Sequence, residues 1–342
     1  MTRVYVGMSG GVDSSVTAAL LVEQGYDVTG IYMKNWTQDL PGMKCPWADD
    51  LADAKRVAVQ LGIDFKVFDF EKEYKQHVVD YMIEEYEAGR TPNPDIMCNQ
   101  EVKFKLFLEA ALADGADMIA TGHYARVDNG KLLRAKDENK DQTYFLYRVT
   151  KDALQKTLFP LGDYLKAEVR ELAKERGLFT ASKKESMGIC FVGKVGIRDF
   201  LSQYVTTVPG RIIDKQSGDV LGYHDGAIFY TIGQRHGLDV GGGLPYYVTG
   251  KSMDKNEVYV TTKLHDESLW TGEIVLQDIH WINGEPTDKN VQIRVRHRAP
   301  LVTATLHGNV LKLSDDQRAI AAGQSVVVYD DAVCLGGGII VQ

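Results

Sequence analysis

Apolar and polar positions alternate with a period of two over residues 3–8, in a run rich in β-branched and aromatic side chains, which predicts a strand. After Ser9-Gly10-Gly11 the spacing changes, and apolar residues recur at helical intervals to about Glu23. Residues 27–33 predict a second strand, 49–61 a helix stopped by Gly62, and 64–69 a third strand. A helix over 71–88 carries Val78, Val79, Met82 and Ile83 on one side. The helical pattern repeats over 100–113, and 118–121 reads as a buried strand. Strands and helices alternating at these lengths predict an α/β fold, a doubly wound parallel sheet. Ligands in such sheets lie beyond the carboxyl ends of the strands. The Ser9 turn, Met33 and Gly122-His123 all fall there.

Downstream, Asp128-Asn-Gly130 between two short apolar runs predicts a tight hairpin. A polar stretch, 139–145, leads into aromatics, and a helix over 166–176 ends at Gly177. Residues 197–204 read as a short helix. From Pro209 glycines become frequent and strands short, and from about Glu273 the pattern is all-β. The alternation over 291–298 puts Val291, Ile293 and Val295 on one face and Arg294, Arg296 and Arg298 on the other. The expected division is 1–200, then a small β-rich unit over 205–265, then 270–342.

Composition adds bounds. A chain of 342 residues is too long for one ordinary core, which agrees with that division. The N-terminal residues show no basic segment followed by an apolar one, and no apolar run reaches membrane-spanning length. A cytoplasmic protein with no membrane partner is expected. Four cysteines, Cys45, Cys98, Cys190 and Cys334, have spacing that suits neither a disulfide framework nor a zinc site, and no metal ligand set is expected. A net charge of -8 argues against nucleic acid unless a local basic patch exists. The three arginines over 294–298 are one candidate, against the plainer reading of a solvated face.

Three stretches carry chemistry. Strand, Gly10-Gly11 turn and helix start form an anion cradle, because glycines admit backbone amides to oxyanions and the helix start supplies unpaired N–H groups. No Lys follows the glycines, so this is not a Walker A loop; Gly250-Lys-Ser252 fails as one too, since Pro245 stands in place of the first glycine. Thr91-Pro-Asn-Pro-Asp-Ile-Met-Cys98 predicts an extended loop that delivers Asp95 and Cys98 to a helix start. There a Cys is either a dipole-stabilised thiolate or a small buried hydrophobe. Cys190 follows Lys183 and Lys184, which favour a thiolate or persulfide, yet Ile189-Cys-Phe191 also suits a core strand.

The loop Ser9-Gly-Gly-Val-Asp-Ser14 resembles the pyrophosphate loop of the ATP pyrophosphatases. The likeness narrows with Gly7-Met8, Met33-Lys-Asn-Trp36, Gly89-Arg-Thr-Pro-Asn-Pro-Asp95, Cys98-Asn99 and Ala120-Thr-Gly-His-Tyr124. It extends through Lys140-Asp-Gln142, Gly188-Ile-Cys-Phe191, Tyr230-Thr-Ile-Gly-Gln-Arg235 and Cys334-Leu-Gly-Gly-Gly338. In order and along the whole chain, these segments are similar to the bacterial tRNA-specific 2-thiouridylase family. Met187, where the family usually has a small or polar residue, and the end soon after Gly338 depart from its pattern.

That resemblance implies a Rossmann-like ATP pyrophosphatase domain, a small β-rich domain and a C-terminal β-barrel that holds tRNA. It implies ATP at Gly7, Met8, Ser9, Gly10, Gly11, Val12, Asp13, Ser14, Met33 and Gly122, with Mg²⁺ as a cofactor acting beside Asp13. It implies tRNA contacts at Asn93, Pro94, Asp95, His123, Lys140, Asp141, Gln142, Arg296, His297 and Gln324. Cys190 would carry a persulfide, Cys98 would act as nucleophile, and Asp95 would contact the base or move a proton. The implied reaction is ATP-dependent 2-thiolation of the wobble uridine, with sulfur from a cysteine desulfurase or relay protein and a monomeric enzyme. An iron–sulfur cluster on Asp95, Cys98 and Cys190 is the alternative to a persulfide route. A different ATP pyrophosphatase, such as an amide-forming synthetase, would have no use for the two cysteines, and a non-catalytic nucleotide sensor or RNA-binding scaffold would bind ATP without turnover.

Overall fold

The computed structural model describes residues 1–39, 45–184, 196–241 and 243–341. Its first sheet is built from β1 (Arg3–Gly7), β2 (Asp27–Lys34), β3 (Asp64–Asp69), β4 (Met118–Ala120) and β7 (Thr157–Leu158). They are parallel in the order β3-β2-β1-β4-β7. The alternation on β1 explains the two-sided burial. Val4 and Val6 face a core shared with Ala18 and Leu21 of α1 (Val12–Glu23) and Val57 of α2 (Trp47–Leu61). Tyr5 and Ile31 face the other way, onto Val78, Met82, Val102 and Phe107 of α3 (71–87) and α4 (94–113). Gly62 ends α2 in the left-handed region at φ 68°, where only glycine sits without strain.

Helix α4 begins six residues before the predicted start: Pro94 occupies its first turn, where the missing N–H costs nothing. The segment Cys98–Leu106 is wound in the wider π register, a form that recurs at functional sites. Cys98 therefore lies beyond the first turn, and the expected dipole stabilisation of its thiolate at a helix start does not apply.

A second sheet has the order β10-β11-β8-β9, from β8 (Gly210–Asp214), β9 (Val220–His224), β10 (Tyr247–Ser252) and β11 (Glu257–Thr261). The third is a barrel of β12 (Trp270–Trp281), β13 (Asn290–Arg294), β14 (Val302–His307), β15 (Val310–Arg318), β16 (Ser325–Asp330) and β17 (Val333–Ile340). It closes through β12 pairing both β15 and β17, which removes open edges. The hairpin β5 (Arg126–Asp128) and β6 (Lys131–Leu133) turns at Asn129 and Gly130, both at positive φ as a type I′ turn requires. β6 pairs with β17 through Leu133 and Val333, so a ribbon of the N-terminal part extends the barrel sheet. No helix among the described residues is long and apolar enough to cross a membrane.

Two expectations about the basic face are corrected. β13 ends at Arg294, and residues 295–298 turn away, with Arg298 at φ 64°. Arg294 points inward, 5 % exposed, where Nη1 donates to Asp141 Oδ2 at 3.0 Å and the guanidinium lies 5.6 Å from the Tyr329 ring. The three arginines share no face. Asp141 is likewise only 1 % exposed, its oxygens accepting from Thr143 Oγ1 and the Ala135 amide as well as Arg294. A carboxylate so enclosed braces the barrel against the Lys140–Gln142 stretch.

Candidate active site

The turn after β1 is tied together internally. Ser9 N donates to Ser14 Oγ at 3.2 Å, and Ser15 Oγ donates to Gly11 O at 2.7 Å. Gly10 has φ 70°, and a β-carbon there would lie 2.5 Å from Asp50 O, so both conformation and space demand glycine. Gly11 is the N-cap of α1 without a side-chain cap, which leaves the first amides of the helix facing outward. This is the geometry of an anion cradle. Met8 contributes only backbone, since its side chain is 1 % exposed and its N–H donates to Ile31 O. Val12 is buried too, at 4 %. Gly7 lies against Met33: a β-carbon there would come 2.9 Å from Met33 Cε.

Asp13, in the first turn of α1, accepts from Lys166 Nζ on both oxygens at 2.7 Å, and from Tyr124 Oη at 2.9 Å. Lys166 comes from the start of the helix Lys166–Glu175, far away in sequence. Nothing in the local pattern marks it, and the sequence reading missed it. Gly122, after β4, packs against the same turn; a β-carbon there would meet Asp13 C and Ser14 N at 3.0 Å.

The second half of the site is reached through aromatic contacts. His123 Nδ1 and Thr121 Oγ1 are 2.8 Å apart, and the imidazole lies 5.6 Å from Phe104 and 6.2 Å from Phe159. Burial, and then the nearby charge of Lys103, hold His123 well below its usual range, so it is a neutral imidazole. Phe104 belongs to α4, whose first turns carry Asp95 and Cys98 three residues apart and therefore on one face. Burial raises the Asp95 carboxyl while Lys103 opposes the rise, the environment of a group that can hold a proton. Cys98 is 3 % exposed. Lys103, which acts on both Asp95 and His123, is a second residue that the sequence reading did not single out.

Other expected contacts are distributed around this centre. Asn93 precedes α4 without capping it by its side chain. Gln142 Oε1 accepts from Tyr124 N at 2.9 Å, and Tyr124 O accepts from Gln142 N. Gln324 Nε2 donates to Thr91 O at 2.8 Å and to Pro92 O, which ties the barrel to the loop before Asn93. His297 packs on Phe145 with ring centroids 4.5 Å apart and the planes tilted by 43°, and Lys140 N donates to Asp137 O at 3.0 Å. Arg296 is exposed, and its Nη2 donates to Arg318 O and Ala319 O. Cys190, Met187 and Gly188 lie outside the described residues, so the structure does not bear on a Cys98–Cys190 pair. Cys45 and Cys334 are buried; among the described residues no group of His, Cys, Asp and Glu has the arrangement of a metal site.

Three family models match in succession: a tRNA methyl transferase HUP domain over 2–194, a tRNA methyl transferase PRC-barrel domain over 198–262, and an aminomethyltransferase β-barrel domain over 271–340. Over 352 residues the chain is 49% identical to a tRNA-specific 2-thiouridylase MnmA of Bacillus subtilis (strain 168), covering 99% of this chain and 95% of the relative. It is 48% identical over 351 residues to the protein of that name from Bacillus thuringiensis (strain Al Hakam), at 99% and 94% coverage. A solved 4-thiouridine synthetase–RNA complex with bound ATP shares 17% identity at a TM-score of 0.40, over 60% of this chain and 50% of that one, too remote to carry weight. The first two model descriptions speak of methyl transfer, whereas the relatives alike over their full length are named for thiolation.

Proposed function

We propose, from the premise that the chain belongs to the tRNA-specific 2-thiouridylase family, that it thiolates uridine in tRNA by the following division of labour. The uracil O2 attacks the α-phosphate of ATP, and pyrophosphate departs into the Ser9–Ser14 loop. Loop amides and the start of α1 take up its charge. Asp13, already matched to a cation in Lys166, is the residue that would hold Mg²⁺, which would supply neutralising charge for that leaving group. Adenylation turns an oxygen that cannot leave into AMP, which can.

Sulfur then arrives as the terminal atom of a persulfide on Cys190. That atom bonds to C2, AMP leaves with the original oxygen, and Cys98 attacks the Cys190 sulfur. The C2 sulfur is released as the thiocarbonyl and a Cys98–Cys190 disulfide closes. A thiol reductant must supply two electrons to reopen it, or Cys98 instead frees sulfide from the persulfide first. Asp95, one turn before Cys98, is the proton carrier of this step. The wobble uridine is unpaired in its loop, so bringing it to the site costs little stacking energy. A cytoplasmic, monomeric enzyme served by a cysteine desulfurase or relay protein completes the reading.

The observation that supports it best is the packing of Phe104, from the Asp95–Cys98 helix, on His123, whose neighbour Gly122 packs on Asp13 and Ser14. One side of the site thus suits adenylation and the other thiol chemistry. The test is pyrophosphate release from ATP that requires tRNA, followed by 2-thiouridine when a persulfide donor is added. Pyrophosphate released with an amine acceptor and no tRNA would point to an amide-forming synthetase; ATP binding without turnover would point to a sensor.

A further inference from the structure

The link from α3 to α4 is short and stiff. α3 ends in a Schellman turn, in which Arg90 N donates to Glu85 O and Gly89 N to Tyr86 O, both at 2.9 Å, with Gly89 at φ 79°. The second sheet backs this turn, since a β-carbon at Gly89 would lie 2.8 Å from Met253 Cγ. Pro92 and Pro94 then lock their own φ angles and restrict the residues before them. Little freedom is left between Thr91 and Asp95, so a displacement at the first is carried on to the second.

Thr91 is bonded to both C-terminal units. On the barrel side its N–H donates to Ala322 O at 2.8 Å, in the turn between β15 and β16, and its carbonyl accepts from Gln324 Nε2 at 2.8 Å. Gly323, at φ 88°, permits this approach, because a β-carbon there would lie 2.8 Å from Thr91 N. On the side of the second sheet, Thr91 Oγ1 and Thr231 Oγ1 are 3.0 Å apart. Thr231 is braced in turn. Its N–H donates to Gln234 Oε1 at 3.1 Å, Gly233 N donates to Val248 O at 2.7 Å, and Lys251 Nζ donates to Tyr230 O at 2.7 Å. The motif Tyr230–Arg235, which the chemistry above leaves without a task, thus presents one hydroxyl to the chain just before Asp95.

We infer that Thr91 is a positioning residue for thiolation: its bonds to Thr231 and to the turn at Ala322 set where Asp95 and Cys98 stand against the target base. The inference rests on the tRNA-thiolation reading and deepens it. It makes the second sheet and the barrel part of the alignment of the site, through one residue that touches both.

The experiment follows steady-state thiolation of a stem–loop RNA containing the target uridine by the full-length protein, with a persulfide donor in excess. Thr91→Val keeps the branched shape and loses the hydroxyl, so it is expected to lower kcat about tenfold and to leave the KM for RNA within about twofold. Thr91→Ser restores the hydroxyl and should recover most of kcat. Thr231→Val deletes the same bond from the other side and repeats the test if Thr91→Val folds poorly. The double variant should be no slower than either single one. A pH series adds a readout that a loss of folded protein would not move. Burial raises the Asp95 carboxyl, so the limb of the kcat profile that belongs to it should shift to lower pH in Thr91→Val as the group regains solvent. Wild-type kcat in both valine variants, losses that multiply in the double variant, a defect confined to KM, or an unmoved pH limb in a slow Thr91→Val would each overturn the inference. A wild type that forms no 2-thiouridine under the same conditions would instead sink the functional reading, which separates the two failures.

Discussion

Lys166 Nζ stands 2.7 Å from both carboxylate oxygens of Asp13, at the mouth of the glycine turn. The two residues are 153 positions apart and only partly exposed. A cation already opposite Asp13 means that, on the proposed mechanism, a magnesium–phosphate group entering the turn would have to share or displace an existing pair. Lys166 is then free to move to a phosphate oxygen.

Asp13→Ala is therefore expected to reduce tRNA-dependent pyrophosphate release at least about 100-fold, the scale of losing a principal charge-stabilising group. Affinity for tRNA should stay within about twofold, since Asp13 lies at the nucleotide end of the site. Turnover of Asp13→Ala at the wild-type rate would remove the turn from the mechanism. Lys166→Met should leave Asp13 without its cation and raise the KM for ATP, measured in the same assay.

A second prediction concerns the Arg294–Asp141 pair, whose side chains are 6% and 0% exposed. Removing only Arg294 leaves a buried carboxylate uncompensated, so Arg294→Met should cost about 3–5 kcal/mol in urea unfolding. Asp141→Asn combined with Arg294→Met should cost clearly less than the single change. Additive losses would show that the two groups do not act as a pair.

That pair also marks where the sequence stops being legible. Alternation correctly predicts the parallel sheet, and Gly62, Asn129 and Gly130 announce their turns, because each of those signals is local. The same alternation over 291–298 puts Arg294 outside, since polarity is read without knowledge of partners. Asp141 is 153 residues away, on a non-strand stretch that follows β6, and the docking of β6 on β17 helps bring it to the barrel. Lys166 is missed for the same reason, since Asp13 lies on another element, and so is the action of Lys103 on His123, although Asp95 shares its helix. The helix start at Pro94 is missed differently. Two prolines read as an extended loop, although a proline in the first helical turn is also a start signal.

A third prediction follows from buried imidazoles. Burial is the main cause that holds His123, His224, His280 and His297 below the ordinary 6.5, with His297 pushed down to about 4. Below about pH 6.5 the unfolded chain takes up protons that these folded imidazoles refuse. Stability should thus fall as pH drops from about 6.5 towards 4, where the His297 contribution levels off. Thermal unfolding at pH 7.5 and 5.5 checks the sign, and His297→Phe, which keeps the contact with Phe145, should flatten the dependence. A Tm that rises on acidification would contradict the burial argument.

The last prediction separates the two thiols, to which the proposed mechanism gives unequal work. Cys190 must accept sulfur before any nucleotide chemistry, so Cys190→Ser should carry no persulfide after incubation with a donor. Cys98 acts on a persulfide already formed, so Cys98→Ser should load sulfur on Cys190 and then stall. Its burial at 3 % exposure sharpens the expectation: a thiol enclosed in the core around Ile96 and Val102 should resist a bulky alkylating agent in the free protein. Both variants should still release pyrophosphate at least once with tRNA and ATP, because adenylation uses the Ser9–Ser14 turn and no thiol. Mass spectrometry of the intact variants after sulfur loading, beside an assay for 2-thiouridine, distinguishes the roles. If Cys98→Ser makes 2-thiouridine at the wild-type rate, or if Cys190→Ser is the variant that holds persulfide, the two roles must be reassigned. Pyrophosphate release that fails in both variants would mean that adenylation waits for sulfur, and the order of the two half-reactions would have to be reversed.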